Sequence, residues 1–194
     1  MKWQQRKSLE TQQKLLSAAL ACLERDGFHN FRLDRVASEA NVSKGALMHH
    51  FSNKDDLLTH AIEKVLDEFV YALAHGAGEV HAGRLTLDGF LDLMWLHMSG
   101  QLYMVTLEIA LKARHEPSFK TLLTPQVQHF HERIDAIWQQ LFPRLPPERA
   151  THLMNLSMNL LRGMGTQSVF RKDTQYFNDL LNGWKAILKQ QVAS

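Results

Sequence analysis

The chain has 194 residues, 45% of them hydrophobic and 22% charged, with a formal net charge of +2. That supplies apolar material for one large or two small packed domains and excludes a disordered polyelectrolyte. A single cysteine, Cys22, excludes an intrachain disulfide framework.

Charge is unevenly spread. Residues 1–54 carry 9 Lys and Arg against 5 Asp and Glu, and the remainder carries 13 against 15. A weakly basic N-terminal third fits local contact with phosphates. The opening MKWQQRKSLETQQK lacks the apolar stretch of a signal peptide, and no run approaches the ~18–20 apolar residues of a membrane span. The expected location is cytoplasmic.

Lys2, Arg6 and Lys7 predict a basic arm over residues 1–8. A first helix follows over 9–26, with Leu15, Leu16, Ala19, Leu20 and Leu23 as its buried stripe and Gly27 as its stop. Cys22 falls in that stripe, as a structural thiol does. Phe28 and Phe31 are expected to close a small three-helix core. The next stretch, RLDRVASEANVSKGALMHHFSNKDDLL, sets Leu33, Val36, Ala37 and Ala40 at helical spacing, then a turn at Asn41-Val42. Asn tolerates the left-handed backbone of a tight helix exit. Ser43 is suited to cap a short helix over 44–50, which buries Leu47 and leaves Lys44, Ala46, Met48, His49 and His50 uncommitted. Short helix, tight turn and polar second helix is a layout for reading a DNA major groove.

Ser52-Asn53 caps a connecting helix from 54 to about 75, with Asp55 and Asp56 at its positive end. The domain boundary is expected near residues 50–60, inside this helix. Residues 75–86, HGAGEVHAGRLT, hold three glycines and predict a flexible loop. Helical patterns then cover 87–99, 101–115, 117–142 with Pro125 as a kink or restart, 148–169 and a last helix capped by Asp173. Gly163 and Gly165 predict close approach of another helix. The last two helices look apolar over more than one face, so Leu160, Leu161, Met164, Phe177, Leu181, Trp184 and Leu188 are candidates for a two-fold four-helix interface.

Trp95, Met98, Tyr103, Met104, Glu108, Met154, Met158 and Arg162 fall on helices expected to surround the second domain's interior. Met and aromatic side chains accommodate varied ligand shapes, and Glu108 or Arg162 would orient a charged group. Taken singly, each also reads as an ordinary core residue. Metal chemistry is not indicated. His129 and His131 are two apart on a helix and point about 200° from one another, and no H-x3-H or C-x2-C is present. No cofactor motif appears.

Gly27-Phe28, Val36-Ala37, Val42-Ser43, Gly45, Leu47, His50-Phe51, Lys54 and Leu57 match, in residue and spacing, the DNA-binding signature of the TetR family of bacterial regulators, which this stretch resembles. The resemblance covers about the first 60 residues. Beyond them it rests on size, helix content and Glu108, Arg114 and Pro117. It implies an all-α protein of about nine helices. Residues 1–54 would form a helix-turn-helix DNA-binding domain. Residues 55–194 would form a helical ligand-binding and dimerisation domain. It further implies a homodimer on a palindromic operator, no enzymatic activity, and a small effector, here mainly apolar. Repression relieved by that effector is the expected action. An activator, a regulator switched by a protein partner, and an all-helical enzyme or interaction module on the same scaffold are alternatives.

Carried over residue by residue, Lys44, Ala46, His49 and His50 would face the groove or its phosphates, with Ser43 and Gly45 at the helix start. Lys54 would hold a phosphate. Three positions depart from the pattern. Met48 replaces a phosphate-contacting Tyr, Arg32 follows Phe31 where hydroxyl residues are usual, and Ala46 leaves at most a methyl contact. Base hydrogen bonding is therefore expected to fall on Lys44 and His49.

Overall fold

The computed structural model describes residues 3–193, apart from the side chain of Gln4. Lys2 lies outside them. The described residues form nine helices and no strand: α1 Trp3–Asp26, α2 Leu33–Glu39, α3 Lys44–His50, α4 Lys54–His81, α5 Leu87–Met98, α6 Gln101–His115, α7 Pro117–Leu141, α8 Pro147–Gln167 and α9 Thr174–Ala193. Among them no helix is long and apolar enough to cross a membrane.

Two expectations are corrected. The arm is helix: α1 starts at Trp3, with the Lys7 ammonium 5.1 Å from the Trp3 ring centre and Arg6 paired to Glu10 one turn on. Those i,i+4 contacts join side chains with good helix propensity. The glycine-rich loop is helix too. α4 continues to His81 because Gly76 is a packing residue: a Cβ there would lie 2.9 Å from Leu93 and 3.1 Å from Phe90 of α5. The helix ends only at Gly83, whose φ of 68° lets Arg84 N donate to Glu79 O and Gly83 N to Val80 O.

The chain divides into two compact units. One reaches to Leu66 and includes Val105–Val127; the other comprises Asp67–Met104 and the residues from Gln128 onward. α4, α6 and α7 each contribute to both.

The first unit is built around α1. Leu15, Ala19 and Leu23 are buried with Phe31, Val36, Leu47, Phe51, Leu57 and Leu58, and Ile109 and Phe119 are buried likewise. Burying a Leu or Phe side chain contributes about 1.5–3 kcal/mol, so this small core is held by apolar burial first. At the rim Arg25 bonds Asp26 and Glu39, and Arg35 bonds Asp26, tying α1 to α2. Those hydrogen bonds hold the Asp26 carboxyl below its ordinary range, Arg25 first. Cys22 is buried, and burial raises its thiol pKa against the opposing effect of Arg25.

The second unit packs α5, α8 and α9 closely together. Phe90, Met94, Trp138, Met158, Leu161 and Leu188 are buried in it. Gly165 is the predicted close approach: a Cβ there would meet Met98 O at 2.3 Å and Tyr103 at 2.9 Å. A Cβ at Gly163 would meet no atom of another element within 4 Å among the described residues. Lys185, nearly buried, pairs with Asp92 at 2.5 Å, and Lys189 with Asp88 at 3.0 Å, fixing α9 on α5.

Candidate nucleic-acid interface

The turn between α2 and α3 is set by two backbone bonds. Asn41, at φ 54°, donates to Ser38 O at 3.0 Å, and Val42 donates to Ala37 O at 3.0 Å. Two of the orphan carbonyls at the α2 exit are thereby used. Ser43 Oγ then accepts from Ala46 N at 3.1 Å and caps α3. The cap fixes which face of α3 turns inward. Leu47 is fully buried, Ala46 and His50 are half-buried, and Lys44, Gly45, Met48 and His49 are exposed.

The exposed face thus carries a cation, a thioether and an imidazole on one short, rigid element. The His49 and His50 rings meet edge to face at 5.5 Å. Arg32, exposed at the N-cap of α2, makes no side-chain capping bond. α4 opens on a reciprocal cap. Asn53 Oδ1 accepts from Asp56 N at 2.9 Å, and Asp56 Oδ2 accepts from Ser52 N at 2.7 Å.

Lys54 is placed differently from a simple phosphate contact. Its ammonium stands 4.9 Å from the Phe28 ring centre and 5.5 Å from that of Phe31. Burial, and then the like charge of Lys112, push its pKa down. It closes the underside of the small core as well as offering a charge. Lys112 lies against Asp55 at 3.2 Å and also bonds Glu116. Burial opposes its charge, and the bonds to Glu116 and Asp55 outweigh that and raise its pKa.

Of the residues expected to face a ligand, seven fall in the second unit and Glu108 does not. Glu108 Oε2 accepts from Phe28 N at 2.6 Å, within the unit that holds the helix-turn-helix. Trp95 packs on Phe177 at 5.6 Å and lines an open surface groove with His75, Glu79 and Leu93. Met98, Tyr103, Met154 and Met158 are buried, while Met104 and Arg162 are half-buried. Tyr103 OH donates to Arg162 O at 3.1 Å. On α7, His131, Asp135 and Trp138 recur at i, i+4 and i+7. In the sequence this spacing is obscured by an apolar stripe on the same helix.

The candidates for a two-fold interface divide. Leu161, Met164, Phe177, Leu181 and Leu188 are buried in their own chain. Trp184 Nε1 donates inward to the buried Ser157 Oγ at 2.9 Å. Leu160 is half-buried, and the exposed apolar residues nearby are Leu156, Ile187, Val169 and Phe170.

The sequence model described as "Bacterial regulatory proteins, tetR family" matches residues 15–61. The chain is similar to the HTH-type transcriptional regulator CymR of Pseudomonas putida, 24% identical over 192 residues, covering 98% of this chain and 95% of that one. It is similar to the HTH-type transcriptional regulator BetI of Burkholderia mallei, 25% identical, covering 87% and 92%. A solved TetR-family regulator from Mesorhizobium loti superposes with a TM-score of 0.73 at 16% identity, covering 96% of each chain. The multidrug binding protein EbrR, complexed with imidazole, superposes with a TM-score of 0.63 at 21% identity, covering 89% and 93%.

Proposed function

We propose the following reading for this chain, which belongs to the TetR family of bacterial DNA-binding transcriptional regulators: it is a homodimeric repressor released from a palindromic operator by a small effector, and it acts in the cytoplasm. The observation that carries the reading is α3. A Ser43 cap and a buried Leu47 anchor this helix, so that Lys44, Met48 and His49 project from it. Lys44 supplies a donor for guanine or a phosphate, and His49 a second donor or acceptor. Arg32 and Lys54 flank the helix as phosphate partners, which position without reading sequence.

Two copies give two such helices, and their spacing selects operators with half-sites one helical turn apart. The second copy is seated on the outer face of α8 and α9. Leu156, Leu160 and Gly163 follow one another there at i, i+4 and i+7, as do Leu180, Gly183 and Ile187 at i, i+3 and i+7. A Cβ at Gly163 or Gly183 would meet nothing of another element within 4 Å among the described residues, so a facing helix can approach closely. We keep the functional division at residues 54 and 55, with α4 as the connector.

Effector response is supported by Met154, Met158 and Arg162 on the inner face of α8, and by EbrR, a protein of this fold complexed with imidazole. A ligand that binds one arrangement of α4 and α6 better than another shifts the DNA readers out of register. The test is equilibrium binding to an enriched duplex and to its scrambled counterpart at rising salt. Binding is expected to discriminate between the two and to weaken steeply with salt. Equal affinity for both duplexes would overturn the reading.

A further inference from the structure

α7 and α8 of the second unit run antiparallel, fixed at one end by Gln139 Nε2 donating to Thr151 Oγ1 at 3.3 Å. Toward the other end, His131 of α7 lies within the field of Arg162 of α8. α7 carries His131, Asp135 and Trp138, and α8 carries Met154, Met158 and Arg162, each set at one-face helical spacing.

Several polar groups in this stretch lack a partner among the described residues. The Arg162 guanidinium is half-buried, and among the described residues no carboxylate lies within ion-pair distance of it. Trp138 is fully buried, yet its Nε1 has no hydrogen-bond acceptor. Asp135 Oδ1 is buried without a donor. A native core leaves few such groups, and each uncompensated one costs about 1–3 kcal/mol, more for a charge. Trp138 Nε1 and Asp135 Oδ1 are two such groups on α7, and the half-buried Arg162 adds a charge on the helix that carries the buried Met154 and Met158. Burial pushes the Arg162 guanidinium below its ordinary pKa, with Tyr103 the one opposing influence. The guanidinium stays charged at neutral pH.

We propose that the effector is a small amphiphilic carboxylic acid whose carboxylate pairs with Arg162 while its apolar body lies on Met154 and Met158. This rests on the effector-responsive reading above and adds the charge of the ligand. The planar guanidinium fork matches a carboxylate with two parallel hydrogen bonds. His131 stands beside the same anion. Trp138 Nε1 is a donor, and with Asp135 Oδ1 as acceptor it suits a hydroxyl further along the ligand.

The experiment uses the full-length protein without DNA. Thermal shift and calorimetry are run with matched pairs: benzoate and benzamide, phenylacetate and phenylacetamide, hexanoate and hexanamide. At least one acid is expected to raise Tm by about 2 °C or more while its amide does not. Arg162→Met should weaken that acid by about tenfold or more, and Arg162→Lys by less. Both variants should keep operator binding in the absence of ligand, which excludes misfolding. Amides binding as tightly as acids, or an unaltered acid affinity in Arg162→Met, overturns the charge assignment and leaves effector response standing. If neither acids nor amides bind to a protein that still binds its operator, effector response falls with it.

Discussion

Glu108 Oε2 accepts a hydrogen bond from Phe28 N at 2.6 Å, across 80 residues of sequence. The donor follows Gly27, whose φ of 72° turns the chain out of α1, and a Cβ at Gly27 would sit 3.7 Å from the same carboxylate. α6 therefore holds the loop that sets α2 against α1. A hydrogen bond to a charged group is worth about 1.5–3 kcal/mol where water is excluded and less at an exposed carboxylate. Glu108→Ala should cost about 1 kcal/mol in denaturant unfolding and speed exchange of the Phe28 amide. Glu108→Gln, which keeps an acceptor, should recover part of both. An unchanged Phe28 exchange rate in the alanine variant would show that the bond does not form in solution.

The Ser43 cap carries the orientation of α3. Ser43→Ala should destabilise the protein by about 1 kcal/mol and lower operator affinity, and Ser43→Asn should restore stability. The check is a urea transition beside a DNA titration for each variant. Affinity unaffected by the alanine change would mean that DNA itself orders the helix.

Lys44 and Lys54 are expected to separate. Lys44→Ala should weaken binding, change the preferred sequence and leave the melting temperature in place. Lys54→Ala should weaken all sequences alike and lower the salt slope by about 1. It should also lower the melting temperature, because the ammonium packs over Phe28 and Phe31. Competition binding against single-base operator variants distinguishes the two.

The outer and inner faces of α8 and α9 predict opposite failures. Leu156→Glu with Ile187→Glu should give a folded monomer by sedimentation. Leu161→Ala, at a fully buried position, should leave the dimer but cost about 2–5 kcal/mol of stability. A folded dimer from the double glutamate variant would move the interface elsewhere.

His131 predicts a pH effect of definite sign. Burial first, and then the charge of Arg162, push its imidazole below the ordinary 6.5, with Asp135 opposing. The unfolded chain therefore binds the proton more readily than the folded one. Stability from this site is complete above about 6.5 and is lost as pH falls through the lowered value. His131→Gln should reduce the loss of thermal stability as pH falls below the ordinary imidazole range. A bound carboxylate at Arg162 should lessen the depression by offsetting the charge of Arg162.

Much of the fold was legible because its signals are local. Ser43, Asn41 and Gly27 are placed by capping and left-handed backbone, which need only neighbouring residues. Gly76 is not legible as a packing residue, because a glycine that admits Leu93 and Phe90 looks, in sequence, like one that loosens a loop. Leu161 and Leu181 read in sequence as interface because an apolar stripe does not say whether its own chain covers it. Glu108 reads in sequence as a ligand contact because its partner is a backbone amide 80 residues away. Arg162 was legible as a charge on an apolar face. Its lack of a counter-charge was visible only once the surrounding helices were in place.

The central claim is that two capped α3 helices read a two-fold symmetric DNA site. Selection of bound duplexes from random DNA by the full-length protein tests it most directly. The account predicts an enriched inverted repeat with half-site centres one helical turn apart, lost or altered in sequence with Lys44→Ala. Enrichment of an asymmetric site, or none above the starting pool, would contradict it.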